Sequence, residues 1–314
     1  MPILLAVTLA HSRLPVLSSV LVAGVLLLGL PAASAAQGVA GTVPEETIRS
    51  QVPAPSVRAA AAIVYNTETG DVLWESNSGA QRSIASITKL MTAVVFMEES
   101  PDLSAVVTIT REDVRRASTT YLRAGFKVTK GDLLHLTLIA SDNAAARTLA
   151  RVSDHGSEAF VARMNSKAEE LGLTITRYAD PSGLSNDNVS SALDMAKLLT
   201  YVSGDVRLTD VMQKQSYSVP VVGRRAPILI RSTNRLVRNG DVDVVAGKTG
   251  FIRSAGYCLA TLLRLPQGGP PVAVVVLGAT SNSGRFREVR SLFDWFAKAA
   301  PDLLGHAVVP FGAD

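Results

Sequence analysis

Apolar, strand-like runs stand at both ends of this chain, and the long stretch between them is patterned for helix. Ala59 to Asn66 and Asp71 to Glu75 are joined by Thr67-Glu68-Thr69-Gly70, which reads as a hairpin. Tyr257 to Leu265 and Val272 to Leu277 are separated by Pro266-Gln267-Gly268-Gly269-Pro270, a second hairpin. A closing helix is expected after it, with Phe286, Val289, Phe293 and Phe296 on one stripe and Pro301 as its stop. In the middle, roughly 84–205, Ile87, Leu90, Met91, Val94 and Val95 mark one face of a helix. Thr129-x-x-Asp132 resembles a capping box, Ser141-Asp142-Asn143 breaks the helix that follows, and Ala144 to Val152 restarts one. Terminal hairpins that pair into one sheet give an α+β architecture. A mainly antiparallel sheet is covered by helices, and a mostly helical subdomain is inserted between the terminal strands.

The 314 residues are 47% hydrophobic, enough for a substantial core. The net charge of +4 is spread without a basic run, so no nucleic-acid partner is expected. Residues 1–36 read as a signal peptide: Arg13, the apolar run Leu14 to Leu30, then Ala33-Ser34-Ala35-Ala36, with cleavage after Ala35 or Ala36. The alternative is an uncleaved anchor, and the leader is the only membrane contact expected. Either way the remainder works outside the cytoplasm, in the periplasm or its equivalent. Residues 37–57 read as a linker, 58–300 as the main folded domain and 301–314 as a short tail. Cys258, the single cysteine, lies in a strand-like run and reads as an inert core thiol. None of His11, His135, His155 and His306 suits a Ser-His-Asp hydrolase, and no His-Glu-x-x-His occurs, so neither metal nor cofactor is expected.

Ser86-Ile87-Thr88-Lys89 puts a hydroxyl and an amine one helical turn apart, on one face. A neutral lysine can activate a hydroxyl, provided burial or a nearby cation brings its pKa down to about 7–8. Ser141-Asp142-Asn143 reads alone as a helix cap, or else as a proton-passing hydroxyl with an amide that holds the lysine. Lys248-Thr249-Gly250 stands after the apolar stretch Val242 to Gly247, with Gly247 and Gly250 allowing another backbone close to an edge strand.

The order and spacing of the three motifs are those of the penicillin-recognising serine enzymes. The chain resembles the low-molecular-mass D-alanyl-D-alanine peptidases over about residues 55–300. Ile84-Ala85-Ser86, Ala140-Ser141-Asp142-Asn143-Ala144-Ala145, Met164-Asn165-x-Lys167-Ala168, Pro181-x-Gly183-Leu184 and Ala255-Gly256-Tyr257 look like that family too. The resemblance implies a β-lactamase/transpeptidase-like fold and peptidoglycan stem peptides as substrate, with β-lactam antibiotics as covalent inhibitors. It implies Ser86 as nucleophile, Lys89 as base, and Ser141, Asn143 and Lys248 completing the network. Lys248, Thr249 and Gly250 would bind substrate, Thr249 taking its carboxylate, and the backbone N–H groups of Ser86 and Phe251 would form the oxyanion hole. Lys248, at a strand end facing the cleft, is expected to stay charged while Lys89 gives up its proton. Ile252 departs from the threonine common there. A class A β-lactamase would share the triplet but needs a Glu-x-x-x-Asn element, which Glu169 and Glu170 do not supply. An inactive peptidoglycan-binding module is the non-enzyme alternative. Between DD-carboxypeptidase and DD-endopeptidase, the tail and Thr233-Asn234-Arg235-Leu236-Val237 favour the short endopeptidases.

Overall fold

The computed structural model describes residues 52–303 except 54, 241 and 267. The leader and most of the tail lie outside the described residues. Five strands form the main sheet: β1 (Ala61–Asn66), β2 (Val72–Ser76), β3 (Asp243–Ile252), β4 (Gly256–Arg264) and β5 (Val272–Ala279). Their order is β2-β1-β5-β4-β3 and every pair is antiparallel, so the two expected hairpins meet along β1 and β5, and β3 is an edge.

Strand alternation divides the core in two. Ile63, Tyr65, Ala273, Val275 and Leu277 face the helical block, while Ala62, Val64, Val272, Val274 and Val276 face the closing helix. The block contains α1 (Lys89–Glu98), α2 (Lys130–Ile139), α3 (Asn143–Arg151), α4 (Gly156–Glu170), α5 (Ala192–Ser203) and α6 (Val206–Met212). The closing helix is α7 (Asn282–Leu303), and its stripe Phe286, Val289, Phe293 and Phe296 is buried as the periodicity indicates. Thr129 caps α2 through the expected capping box with Asp132.

Three expectations are corrected. Pro301 does not stop α7, which runs to Leu303. Proline's fixed φ is itself helical, and the exposed Pro301 sits where a freed carbonyl can reach water. Helix α1 is not amphipathic: Lys89, Thr92, Ala93 and Phe96 are buried along with the apolar set, because α2, α3, α4 and α5 surround it. Finally, part of the stretch read as a linker is docked. Val52 and Val57 pack against the α7 cluster, and Trp295 Nε1 donates to Val52 O at 3.0 Å. A two-stranded ribbon, Ser216–Val219 with Ile228–Arg231, follows α6.

Candidate active site

The site forms where α1, α3, the 180–188 loop and the edge strand β3 converge. Ser86 lies in a 3-10 turn, Ala85–Thr88, directly before α1. Its neighbour Ala85 holds φ at 48°, a left-handed value that a non-glycine residue keeps only when the surroundings impose it. Two glycines make that packing possible. A Cβ on Gly183 would lie 2.2 Å from Ala85 O, and one on Gly250 would lie 2.6 Å from Ile84 O.

Lys89 is completely buried. Its Nζ lies 3.0 Å from Ser86 Oγ and 2.6 Å from Asn143 Oδ1, and it also donates to Ser182 O. Asn143 Nδ2 donates to Ala117 O at 2.7 Å, which fixes the amide so that its oxygen faces Lys89. The amide nitrogen is thereby engaged by the protein's own backbone. Asn143 Oδ1 and Ser182 O can only accept, so they use two N–H bonds of a neutral amine. The third direction, the lone pair, then points at the Ser86 hydroxyl. Burial brings the Lys89 pKa down to about 7, against the attraction of Asp142 and Asp180.

Ser141-Asp142-Asn143 serves both purposes considered for it. Asp142 caps α3 by accepting from Ala145 N, while the residues on either side face the site. Ser141 has φ at 59°, and its Oγ receives a hydrogen bond from Lys248 Nζ at 2.7 Å. Lys248 also donates to Thr249 O at 2.9 Å. It is not the cleft-facing lysine at a strand end that the sequence suggested. It stands within β3, 1% exposed, and burial together with the charges of Lys89 and Arg285 lowers its pKa well below the ordinary value. The strand continues two residues beyond Gly250, which a run ending at Gly247 did not reveal.

Thr249 is buried, and its hydroxyl meets that of Thr233 at 2.6 Å. Phe251 is 51% exposed at the mouth and stacks on Tyr257. All eight positions singled out from the sequence therefore lie on the elements that converge here. Sequence reasoning assigned no role to three others. Thr233 anchors Thr249. Arg285 donates from α7 to the Gly250 and Cys258 carbonyls. Asp180 gathers Ser182 N, Gly183 N, Ser185 N and Asn188 Nδ2, shaping the loop that offers Ser182 O to Lys89. The Pro181-x-Gly183-Leu184 pattern was the available signal for that loop.

Other chemistry is directed elsewhere. Cys258 is buried with its thiol pushed up to about 11. His135 stacks on Tyr217 and meets Gly131 O. Glu169 and Glu170 lie on α4, where Arg163 and Lys167 pair with Glu170.

Comparisons with known proteins identify the family and the fold. A family model described as D-alanyl-D-alanine carboxypeptidase matches residues 48–281. The chain is 35% identical over 237 residues to a D-alanyl-D-alanine endopeptidase of Pseudomonas aeruginosa, covering 75% of this chain and 76% of that protein. It is 31% identical over 272 residues to one of Escherichia coli, covering 86% and 85%. The crystal structure of the Streptomyces K15 DD-transpeptidase superposes with a TM-score of 0.73 at 27% identity, covering 78% of this chain and 98% of that one. Because the family model spans most of the chain, and relatives above 30% identity cover three quarters of it or more, this protein belongs to the D-alanyl-D-alanine carboxypeptidase family of serine-type peptidases.

Proposed function

We propose that this chain is an exported DD-endopeptidase that hydrolyses D-alanyl cross-links in peptidoglycan through an acyl-enzyme on Ser86. The observation that carries the reading is the 3.0 Å approach of Lys89 Nζ to Ser86 Oγ, with the other two directions of the amine taken by Asn143 Oδ1 and Ser182 O. In this mechanism Lys89 takes the Ser86 proton as Oγ attacks the D-alanyl carbonyl. The oxyanion forms against the Ser86 and Phe251 N–H groups, donors fixed in place before charge develops. Ser141, in contact with Lys248, passes a proton to the departing amine. Thr249, held by Thr233, takes the carboxylate beside that amine. Water then releases the acyl group.

Endopeptidase is favoured over carboxypeptidase because the relatives compared above carry the endopeptidase name. Both reactions acylate on the same carbonyl and differ only in the leaving amine. The export signal in residues 1–36 and a catalytic domain over about 58–300 belong to this proposal as well.

The deciding experiment incubates purified protein with cross-linked muropeptide dimers and with pentapeptide monomers, reading products by mass spectrometry. Monomers released from dimers support the endopeptidase. Release of D-alanine alone would make it a carboxypeptidase. Covalent fluorescent penicillin that persists in Ser86→Ala would remove the nucleophile assignment.

A further inference from the structure

Beyond the catalytic groups, the turn after β3 borders a second cleft of about 400 Å³, lined by Arg82, Phe251, Arg253, Ser254, Tyr257 and Thr280 among others. Its lining holds two guanidinium groups and no carboxylate. Arg82 Nε is buried without a hydrogen-bond partner, an arrangement that is costly unless something else supplies one. Arg253 is exposed and forms no ion pair among the described residues. The same lining carries an aromatic wall: the rings of Phe251 and Tyr257 stack with centroids 4.3 Å apart, and Phe251 is half exposed. Ser254 Oγ donates to Asn186 Oδ1 at 2.6 Å, which ties the cleft's turn to the 180–188 loop.

The direction of a bound peptide follows from the assignments above, so this inference rests on the proposed peptidase reading. Thr249 would take the leaving residue's carboxylate and Phe251 N–H the scissile carbonyl. Taken in that order along β3, they make a bound peptide run antiparallel to the edge strand. Its acyl-donor side therefore heads toward Ile252 and Arg253. With a rise of about 3.3 Å per residue, the residue before the scissile D-alanine reaches this cleft.

We infer that the cleft is a subsite for a carboxylate-bearing residue immediately before the scissile D-alanine of the acyl-donor peptide. Arg82 and Arg253 pair with the carboxylate, and the Phe251–Tyr257 face packs against its methylenes.

The test uses two D-alanyl-D-alanine peptides, identical except that this residue carries a free carboxylate in one and its amide in the other. Binding is measured by calorimetry to the full chain carrying Ser86→Ala, so the readout does not depend on turnover. The carboxylate peptide should bind about tenfold more tightly than the amide, the scale of one charge-assisted contact at a partly exposed site. That preference should collapse when Arg253→Gln is added, and also with Arg82→Gln. Equal affinities, or a preference that survives both substitutions, would overturn the subsite. Hydrolysis of the amide peptide by the unaltered enzyme is followed separately, so failure of the peptidase reading and failure of the subsite give different results.

Discussion

Arg285 Nη1 lies 2.9 Å from the Gly250 carbonyl oxygen and 3.0 Å from that of Cys258, its facing residue on β4. Two facing carbonyls that reach one nitrogen mark a hydrogen-bonded pair of the antiparallel ladder. Alternation then turns the next residue, Phe251, with its N–H toward the free edge. The peptide unit that offers the proposed oxyanion donor thus carries a buried cation at its oxygen end. No carboxylate pairs with Arg285 among the described residues, and burial brings its pKa down to about 10. A cation there polarises the amide and favours negative charge at the N–H.

Arg285→Met should therefore slow penicillin acylation by about tenfold, a fraction of what losing an oxyanion donor outright removes. Arg285→Lys should recover part of the rate. The ester carbonyl of the acyl-enzyme should vibrate at higher frequency in Arg285→Met, because it is less polarised. An unchanged infrared band alongside a slower rate would reduce Arg285 to a packing role.

Asp180 sets the loop that reaches Lys89. Burial pushes its carboxyl pKa up, but hydrogen bonds from Ser182, Ser185 and Asn188 outweigh that and hold it below the usual range. Its contribution to stability is therefore present above the ordinary carboxylate pKa and lost as pH falls through the lowered one. Asp180→Ala should cost about 2–3 kcal/mol in urea unfolding, since it strands several buried donors. It should also slow acylation, because Ser182 O no longer holds the lysine. Unfolding midpoints and labelling rates of the same preparation check both.

Gly183 and Gly223 separate backbone strain from crowding. Both have φ at 81°, yet a Cβ on Gly183 would meet Ala85 O at 2.2 Å, while none of the described atoms comes within 4 Å at Gly223. Gly223→Ala should lose only about 1 kcal/mol, the penalty of a left-handed alanine. Gly183→Ala must displace the Ala85–Ser86 backbone as well, so it should lose several times that and acylate poorly. Comparable midpoints for the two variants would mean that the serine turn yields easily.

Strand alternation and turn residues made the sheet legible in the sequence, because a period of two survives in short segments. Ser86, Lys89, Ser141, Asn143 and Lys248 were legible through motif spacing. Burial was not. Lys248 looks like a strand-end cation in sequence, and only the packing of Arg285 and Lys89 around it reveals a group kept from water. Thr233 and Arg285 act through partners 16 to 35 residues away, and local pattern carries no such information; Asp180 works on its own loop, which the Pro181-x-Gly183-Leu184 pattern marks without showing that the carboxylate organises it. The Ser216–Val219 strand alternates too, but it is only four residues long and two of them are serines, too weak a pattern to stand out from its polar surroundings.

The two lysines invite the most direct test. Both are buried, but their surroundings differ. Lys89 has Asp142 and Asp180 opposing desolvation and settles at about 7. Lys248 faces Lys89 and Arg285 instead, so it should lose its proton first as pH rises. Near neutrality the remaining proton then belongs to Lys89, and above about 7 that amine is free to accept one from Ser86. Acylation measured by stopped flow should rise with an inflection near 7. Lys248→Met should leave the inflection in place, because a neutral amine exerts no repulsion. Asp142→Asn should move it downward, because a carboxylate that retains the proton is gone. Stability carries the same sign: with the folded pKa below the unfolded value, the unfolded chain binds more protons between about 7 and 10.5. Unfolding free energy should therefore climb through that window, by an amount of the order of 5 kcal/mol at most. Subtracting the profile of Lys89→Met isolates this climb from other titrating groups. An inflection displaced upward by a full unit in Lys248→Met would show that Lys248 is charged at neutral pH, and the order of deprotonation would be reversed.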